Sequence, residues 1–195
     1  MNIAVFASHG GSDLQAIIDA CKAGKLNAQV NVVISNNSTS FALQRAKDSG
    51  IPAFHFSQKV IEDLELLDKA ILDTLVENEI DIIFLAGYLK KLSPAILRMF
   101  KNRVYNIHPS LLPKYGGRGM YGINVHTAVI AAGEKETGIT IHLVDEEYDT
   151  GAIIAQRKVP VLDGDTPEVL AVRVLKEEHK FIVEILSEIV DESCD

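Results

Sequence analysis

The stretch NIAVFASHGGSDLQAIIDAC, residues 2–21, decides the fold. Its apolar run from Asn2 to Ala7 is closed by Ser8-His9-Gly10-Gly11-Ser12, after which Leu14, Ile17, Ile18 and Cys21 recur at helical spacing. That is a strand, a tight loop and a helix. Ser12 with Gln15 has the form of a capping box, and Gly24 lies where such a helix would stop.

Outward from this unit the alternation repeats. Residues 30–35 read as a buried strand, 41–49 as a helix and 52–56 as a short strand, with Asn36-Asn37-Ser38 as turn chemistry. A longer helix is expected over residues 61–78, with Leu64, Leu67, Ile71, Leu72 and Leu75 on its apolar side, and a strand over 80–85. Ser93-Pro94 is an N-cap followed by proline at the first helical position, so a helix over 93–100 should precede a strand over 104–107. A glycine-rich loop over 115–122, a helix over 125–132 and strands over 140–144 and 153–161 follow. The segment Asp165-Thr166-Pro167-Glu168 opens a final helix towards Val190. The rhythm predicts an α/β fold, an open and mostly parallel twisted sheet with helices on both faces, built as one unit over residues 1–195.

Composition narrows the function classes. At 195 residues and 47% hydrophobic content the chain can bury one large core. A net charge of -8 argues against a broad nucleic-acid surface, which would need clustered Lys and Arg, so any anionic ligand must be held locally. Cys21 and Cys194 are far apart and lack metal-ligand spacing, which predicts neither a disulfide framework nor a zinc site and fits a reducing cytoplasm. The N-terminus has no basic leader and no stretch is long enough to span a membrane, so the expectation is a soluble, uncleaved cytoplasmic protein.

Three segments carry chemistry. A loop between a parallel strand and a helix presents backbone N–H groups and the positive end of the helix dipole, so Gly10, Gly11 and Ser12 suit a phosphate. The same residues also suit a plain turn, and Asp13 would repel an anion unless it points away or accepts from a substrate hydroxyl or amine. In Val104-Tyr105-Asn106-Ile107-His108-Pro109, strand alternation sends Asn106 and His108 to the same side at the carboxyl end of the strand, where open α/β sheets place ligands. An amide donor and an imidazole together suit attack on an acyl carbon, while a single His near a strand end is also a common structural residue. The run Asp145-Glu146-Glu147-Tyr148-Asp149-Thr150-Gly151 reads as a solvated acidic turn. Asp149 could instead hold the imidazole, its negative charge raising the His108 pKa.

Asn106-Ile-His-Pro-Ser-Leu-Leu-Pro113, together with the segment 138–142 and Asp149-Thr-Gly151, resembles the glycinamide ribonucleotide transformylases, a family of folate-dependent formyltransferases with a Rossmann-like fold. The likeness runs over essentially the whole chain and includes the segments 8–15, 85–88 and 116–122 and the pair Glu178-His179. It implies a catalytic set of Asn106, His108 and Asp149. It places the phosphate of glycinamide ribonucleotide on Gly11, Ser12 and Asp13, with Glu178 contacting the same substrate. Leu89, Lys90, Lys91 and Leu92, with Asp145, Asn106 and Asp149, would line the pocket of the co-substrate 10-formyltetrahydrofolate, and no metal is implied. His142 matches another family histidine, for which site and structural roles both remain open. Departures from the family pattern are Asp13 in place of Asn, Lys90 in place of Arg, and Leu64 near a family Arg. Lys90 keeps the charge and loses the planar fork that pairs two-pronged with a carboxylate.

The resemblance implies small-molecule substrates, no nucleic acid and no membrane partner, and a monomer or homodimer. Related enzymes that formylate a sugar-nucleotide amine, or hydrolyse formyltetrahydrofolate, share the same core residues. Methionyl-tRNA formyltransferases carry an extra C-terminal domain, and the hydrolases an N-terminal one, for which this chain is expected to have no room. A non-catalytic nucleotide-binding module is the alternative of a different class.

Overall fold

The computed structural model describes residues 1–192. In chain order its elements are β1 (Asn2–Phe6), α1 (Ser12–Lys22), β2 (Gln29–Ser35), α2 (Phe41–Asp48), β3 (Ala53–His55), α3 (Leu64–Glu77), β4 (Ile82–Leu85), α4 (Pro94–Met99), β5 (Val104–His108), α5 (Ile123–Ala131), β6 (Glu136–Leu143), β7 (Ile153–Pro160) and α6 (Pro167–Glu192). The strands form one sheet in the order β3-β2-β1-β4-β5-β6-β7. Pairings from β3 to β5 are parallel, whereas β5–β6 and β6–β7 are antiparallel. The mostly parallel expectation holds, and the antiparallel edge is an addition to it. Its cause at β7 is local: a loop of residues 144–152 is too short for a crossover and returns the chain alongside β6.

Both faces of the sheet are covered, and alternation along β1 shows how. Ile3 and Val5 face a core that holds Leu14 and Ile17 of α1, Ala42 of α2, Val129 of α5 and Ile182 of α6. Ala4 and Phe6 face the opposite core, with Ile71 and Leu75 of α3 and Ile96 of α4. Helix starts follow the side chains at hand. Asp63 caps α3 through Oδ1, accepting from the N–H groups of Glu65 and Leu66, so this helix begins after residue 61. Ser93 caps α4 with proline behind it, as its sequence predicts. Strand β6 starts before residue 140 because its pairing with β7 runs back to Glu136. Gly138 permits this, since a side chain there would strike the Arg157 carbonyl.

Cys21 is a free, half-buried thiol, and Cys194 lies outside the described residues. Among the described residues no helix is long and apolar enough to cross a membrane. Strand β1 lies between β2 and β4, so the chain reverses its direction of travel across the sheet at this point. The crevice beyond the carboxyl ends of β1, β4 and β5 is where such a fold binds ligands.

Candidate active site

A cleft of about 590 Å³ opens at those strand ends, within the size range of small-molecule sites. Every residue picked out from the sequence as a site residue lines it: Asn106, His108, Asp149, Gly11, Ser12, Asp13, Glu178, Leu89, Lys90, Lys91, Leu92 and Asp145.

At the first strand-loop-helix unit, the expected capping box does not form. Gly11 is the N-cap of α1, in a left-handed conformation with φ 66, and no side chain caps the helix. Gln15 bonds Asp19 and accepts from Arg45. Glycine is required at position 11 on two counts, the positive φ and the closeness of α2: a Cβ there would lie 2.8 Å from the Cα of Ala42. The same packing orients the loop. The carbonyl of His9 accepts from Ala42 N–H at 3.1 Å, and that of Gly10 accepts from Arg45 Nε at 2.9 Å. With these acceptors turned towards α2, the uncapped first turn of α1, Gly11 to Asp13, lines the cleft, where its N–H groups and positive dipole end suit an anion. Ser8, not marked out in the sequence, ties the loop to its neighbours, its Oγ donating to Asn36 and accepting from Leu89 N–H at 2.9 Å.

The chemical centre is built on the β5–β6 pair. Asn106 sits opposite His142 and His108 opposite Thr140, so alternation puts both β5 side chains on one face together with His142. This settles the position of His142: its Nε2 is 3.0 Å from Asn106 Nδ2, and its Nδ1 is 2.8 Å from the Leu143 carbonyl. A carbonyl only accepts, so Nδ1 carries the proton and Nε2 accepts from Asn106 in the neutral ring. The second Asn106 N–H has only a long contact, 3.5 Å, to Asp149 Oδ1 and can serve a ligand oxygen.

Asp149 comes from the turn after β6. It has φ 59, a left-handed conformation that Asp tolerates better than most residues. Its carboxylate lies between the two imidazoles, 3.6 Å from His108 Nδ1 and 3.6 Å from His142 Nε2, and accepts from Gly117 N–H at 2.8 Å. The acidic turn therefore splits. Asp149 is turned to the centre, Asp145 accepts from Glu147 N–H and the Thr150 hydroxyl, and Glu147 reaches Lys91 at 2.9 Å. Lys91 also stands over the Tyr148 ring, closing one wall of the cleft.

His108 Nε2 lies 2.8 Å from the Tyr115 carbonyl, which fixes the proton of the neutral ring on Nε2 and leaves Nδ1 as the exchangeable position. Here the structure corrects an expectation. Asp149 does push the His108 pKa up, yet burial is the larger effect and the net shift is downward. For Asp149, burial works upward but is outweighed by the two facing imidazoles and by Gly117 N–H, leaving the carboxyl below its ordinary value. The resting centre is thus an Asp149 carboxylate beside a His108 ring whose burial favours its neutral form. Among the described residues no group of three or more His, Cys, Asp or Glu is placed to hold a metal. The contributions of the Tyr115 carbonyl and Gly117 N–H had no sequence signal, because both are backbone groups of a loop folded over the strand end.

Comparison with known proteins places the whole chain. The family profile described as formyl transferase matches residues 1–186. The chain is 47% identical over 190 residues to a chloroplastic phosphoribosylglycinamide formyltransferase of Vigna unguiculata, covering 97% of this chain and 61% of that one. It thus spans less than two thirds of the plant protein's length. It is 38% identical to the phosphoribosylglycinamide formyltransferase of Escherichia coli, covering 98% of this chain and 88% of the relative. The crystal structure of glycinamide ribonucleotide transformylase 1 from Symbiobacterium toebii superposes with a TM-score of 0.91 at 36% identity, covering 98% of this chain and 88% of that one. On the profile match and these relatives, the chain belongs to the formyl transferase family.

Proposed function

We propose that this protein transfers the formyl group of 10-formyltetrahydrofolate to the amine of 5′-phosphoribosylglycinamide, giving N-formylglycinamide ribonucleotide and tetrahydrofolate in purine biosynthesis. One observation carries the reading: an amide donor, a buried imidazole and a carboxylate converge at one end of a cleft whose other end is an uncapped helix N-terminus. The N-terminal half would hold the substrate phosphate on Gly11, Ser12 and Asp13, with Glu178 contacting the same substrate. The C-terminal half would supply the catalytic residues, and the folate would lie along Leu89, Lys90, Lys91, Leu92 and Asp145. We place the reaction in the cytoplasm.

In this scheme the glycinamide nitrogen attacks the formyl carbon and the carbonyl electrons move to oxygen. Asn106 gives its second N–H to that oxyanion. Neutral His108 takes the proton shed by the attacking amine on Nδ1, and Asp149 stabilises the imidazolium so formed. The oxyanion then collapses, the bond from formyl carbon to folate nitrogen breaks, and His108 returns its proton to the departing nitrogen. A neutral resting His108, set by burial, replaces the protonated one that a nearby carboxylate suggests from sequence.

The test is to incubate the protein with 10-formyltetrahydrofolate and a panel of amines, following tetrahydrofolate release. Rapid release is expected with phosphoribosylglycinamide and not with a sugar-nucleotide amine. Release with no amine present would mark a hydrolase and end the reading.

A further inference from the structure

Beneath the first turn of α1, helix α6 brings Glu178 and His179 against Asp13. His179 Nε2 is 3.5 Å from Asp13 Oδ1, and neither buried atom has a hydrogen-bond partner. Glu178 is 7% exposed and lines the cleft beside Asp13. These are the titratable groups that face Asp13. Arg45 of α2 reaches the loop but is occupied by the Gly10 carbonyl and Gln15, and His9 stands exposed on the loop itself.

The arrangement poses an electrostatic problem, resting on the reading of this loop as the phosphate site. A carboxylate in the first turn is attracted to the positive end of the helix, and it competes there with any incoming anion. Two bare carboxylates at positions 13 and 178 would exclude a phosphate ester that the backbone is built to hold. We propose that Asp13, Glu178 and His179 act as one charge-balancing set: His179, seated against Asp13, offsets the negative charge that Asp13 and Glu178 bring to the loop, so that the loop can receive the phosphate.

The environment of each group agrees. Burial pushes the Glu178 carboxyl well above its ordinary value, and the Asp13 charge pushes it further. Burial also raises Asp13, with His179 pulling it back towards the ionised form. A protonated Glu178 keeps an O–H that can donate to a ligand oxygen. His179 is thereby a positioning residue for this chain, acting on the ligand through Asp13.

Calorimetric titration of ribose 5-phosphate into the wild-type protein, Asp13→Asn, His179→Asn and the double variant tests the set. Asp13→Asn is expected to bind about 10-fold more tightly and His179→Asn about 10-fold more weakly, the scale of one partly screened charge pair. The double variant should match Asp13→Asn, because His179 has nothing to offset once the carboxylate is gone. A gain of affinity cannot come from misfolding, which keeps the Asp13→Asn arm decisive. The proposal is overturned if Asp13→Asn binds no better than wild type, or if the His179→Asn loss persists in the Asp13→Asn background. Absence of binding by both wild type and Asp13→Asn would remove the phosphate reading of the loop itself.

Discussion

His108 and Asp149 set the electrostatics of the centre at the scale of single residues. With Nε2 held by the Tyr115 carbonyl, the position open to proton exchange is Nδ1, facing Asp149, and in the proposed reaction it is the one that would carry the proton. An NMR titration of the His108 ring should give a midpoint below the ordinary 6.5, because burial outweighs the carboxylate. Asp149→Asn removes the upward push and should lower that midpoint further. The turn is preserved in this variant, since Asn adopts the left-handed conformation as readily as Asp. A midpoint that rises in Asp149→Asn would contradict the assignment. Asn106→Ala should lower turnover by about 100- to 1000-fold, the usual effect of losing an oxyanion donor, with the thermal transition still cooperative. Asn106 and His108 could be read from sequence because period-two alternation puts them on one side of a strand end. Asp149 could not be separated from Glu146 and Glu147 on composition, and needed the family pattern. His142 remained open because its role follows from strand pairing with Asn106, a register that no single segment encodes.

At the scale of elements, loops hold the site and glycines set their paths. Gly151 follows the turn that presents Asp149, and a side chain there would run into the Leu143 carbonyl. Gly151→Ala should therefore displace the turn, costing about 1–3 kcal/mol in a denaturant titration and lowering activity with it. Full activity and unchanged stability would show that the turn is not held by this contact. The Gly-rich loop behaves differently from its sequence signature. Ser12 and Gln15 match a capping box, yet packing of Gly11 on Ala42 makes the glycine the cap and leaves the helix end without a side-chain cap. Local propensity was overridden by a helix that lies distant in sequence, and for that reason the feature was illegible. Helices α3 and α4 were legible because their caps, Asp63 and Ser93, act within their own turns.

For the whole molecule, the β/α rhythm of the first half was enough to predict a parallel sheet covered on both sides. The antiparallel edge was not, since an apolar strand pattern has no direction, and only the short loop 144–152 forces the return. That edge completes the centre: it carries His142 on β6 and sets Asp149 in the turn that follows β6. The fold thus assembles its centre from a parallel half that supplies Asn106 and His108 and an antiparallel half that supplies their partners. The most direct test of the account is a transfer experiment with an isotopically labelled formyl group on 10-formyltetrahydrofolate and phosphoribosylglycinamide as acceptor, read by mass spectrometry. The label is expected on the glycinamide nitrogen, in step with tetrahydrofolate release. Label recovered as free formate, or left on the folate, would contradict it.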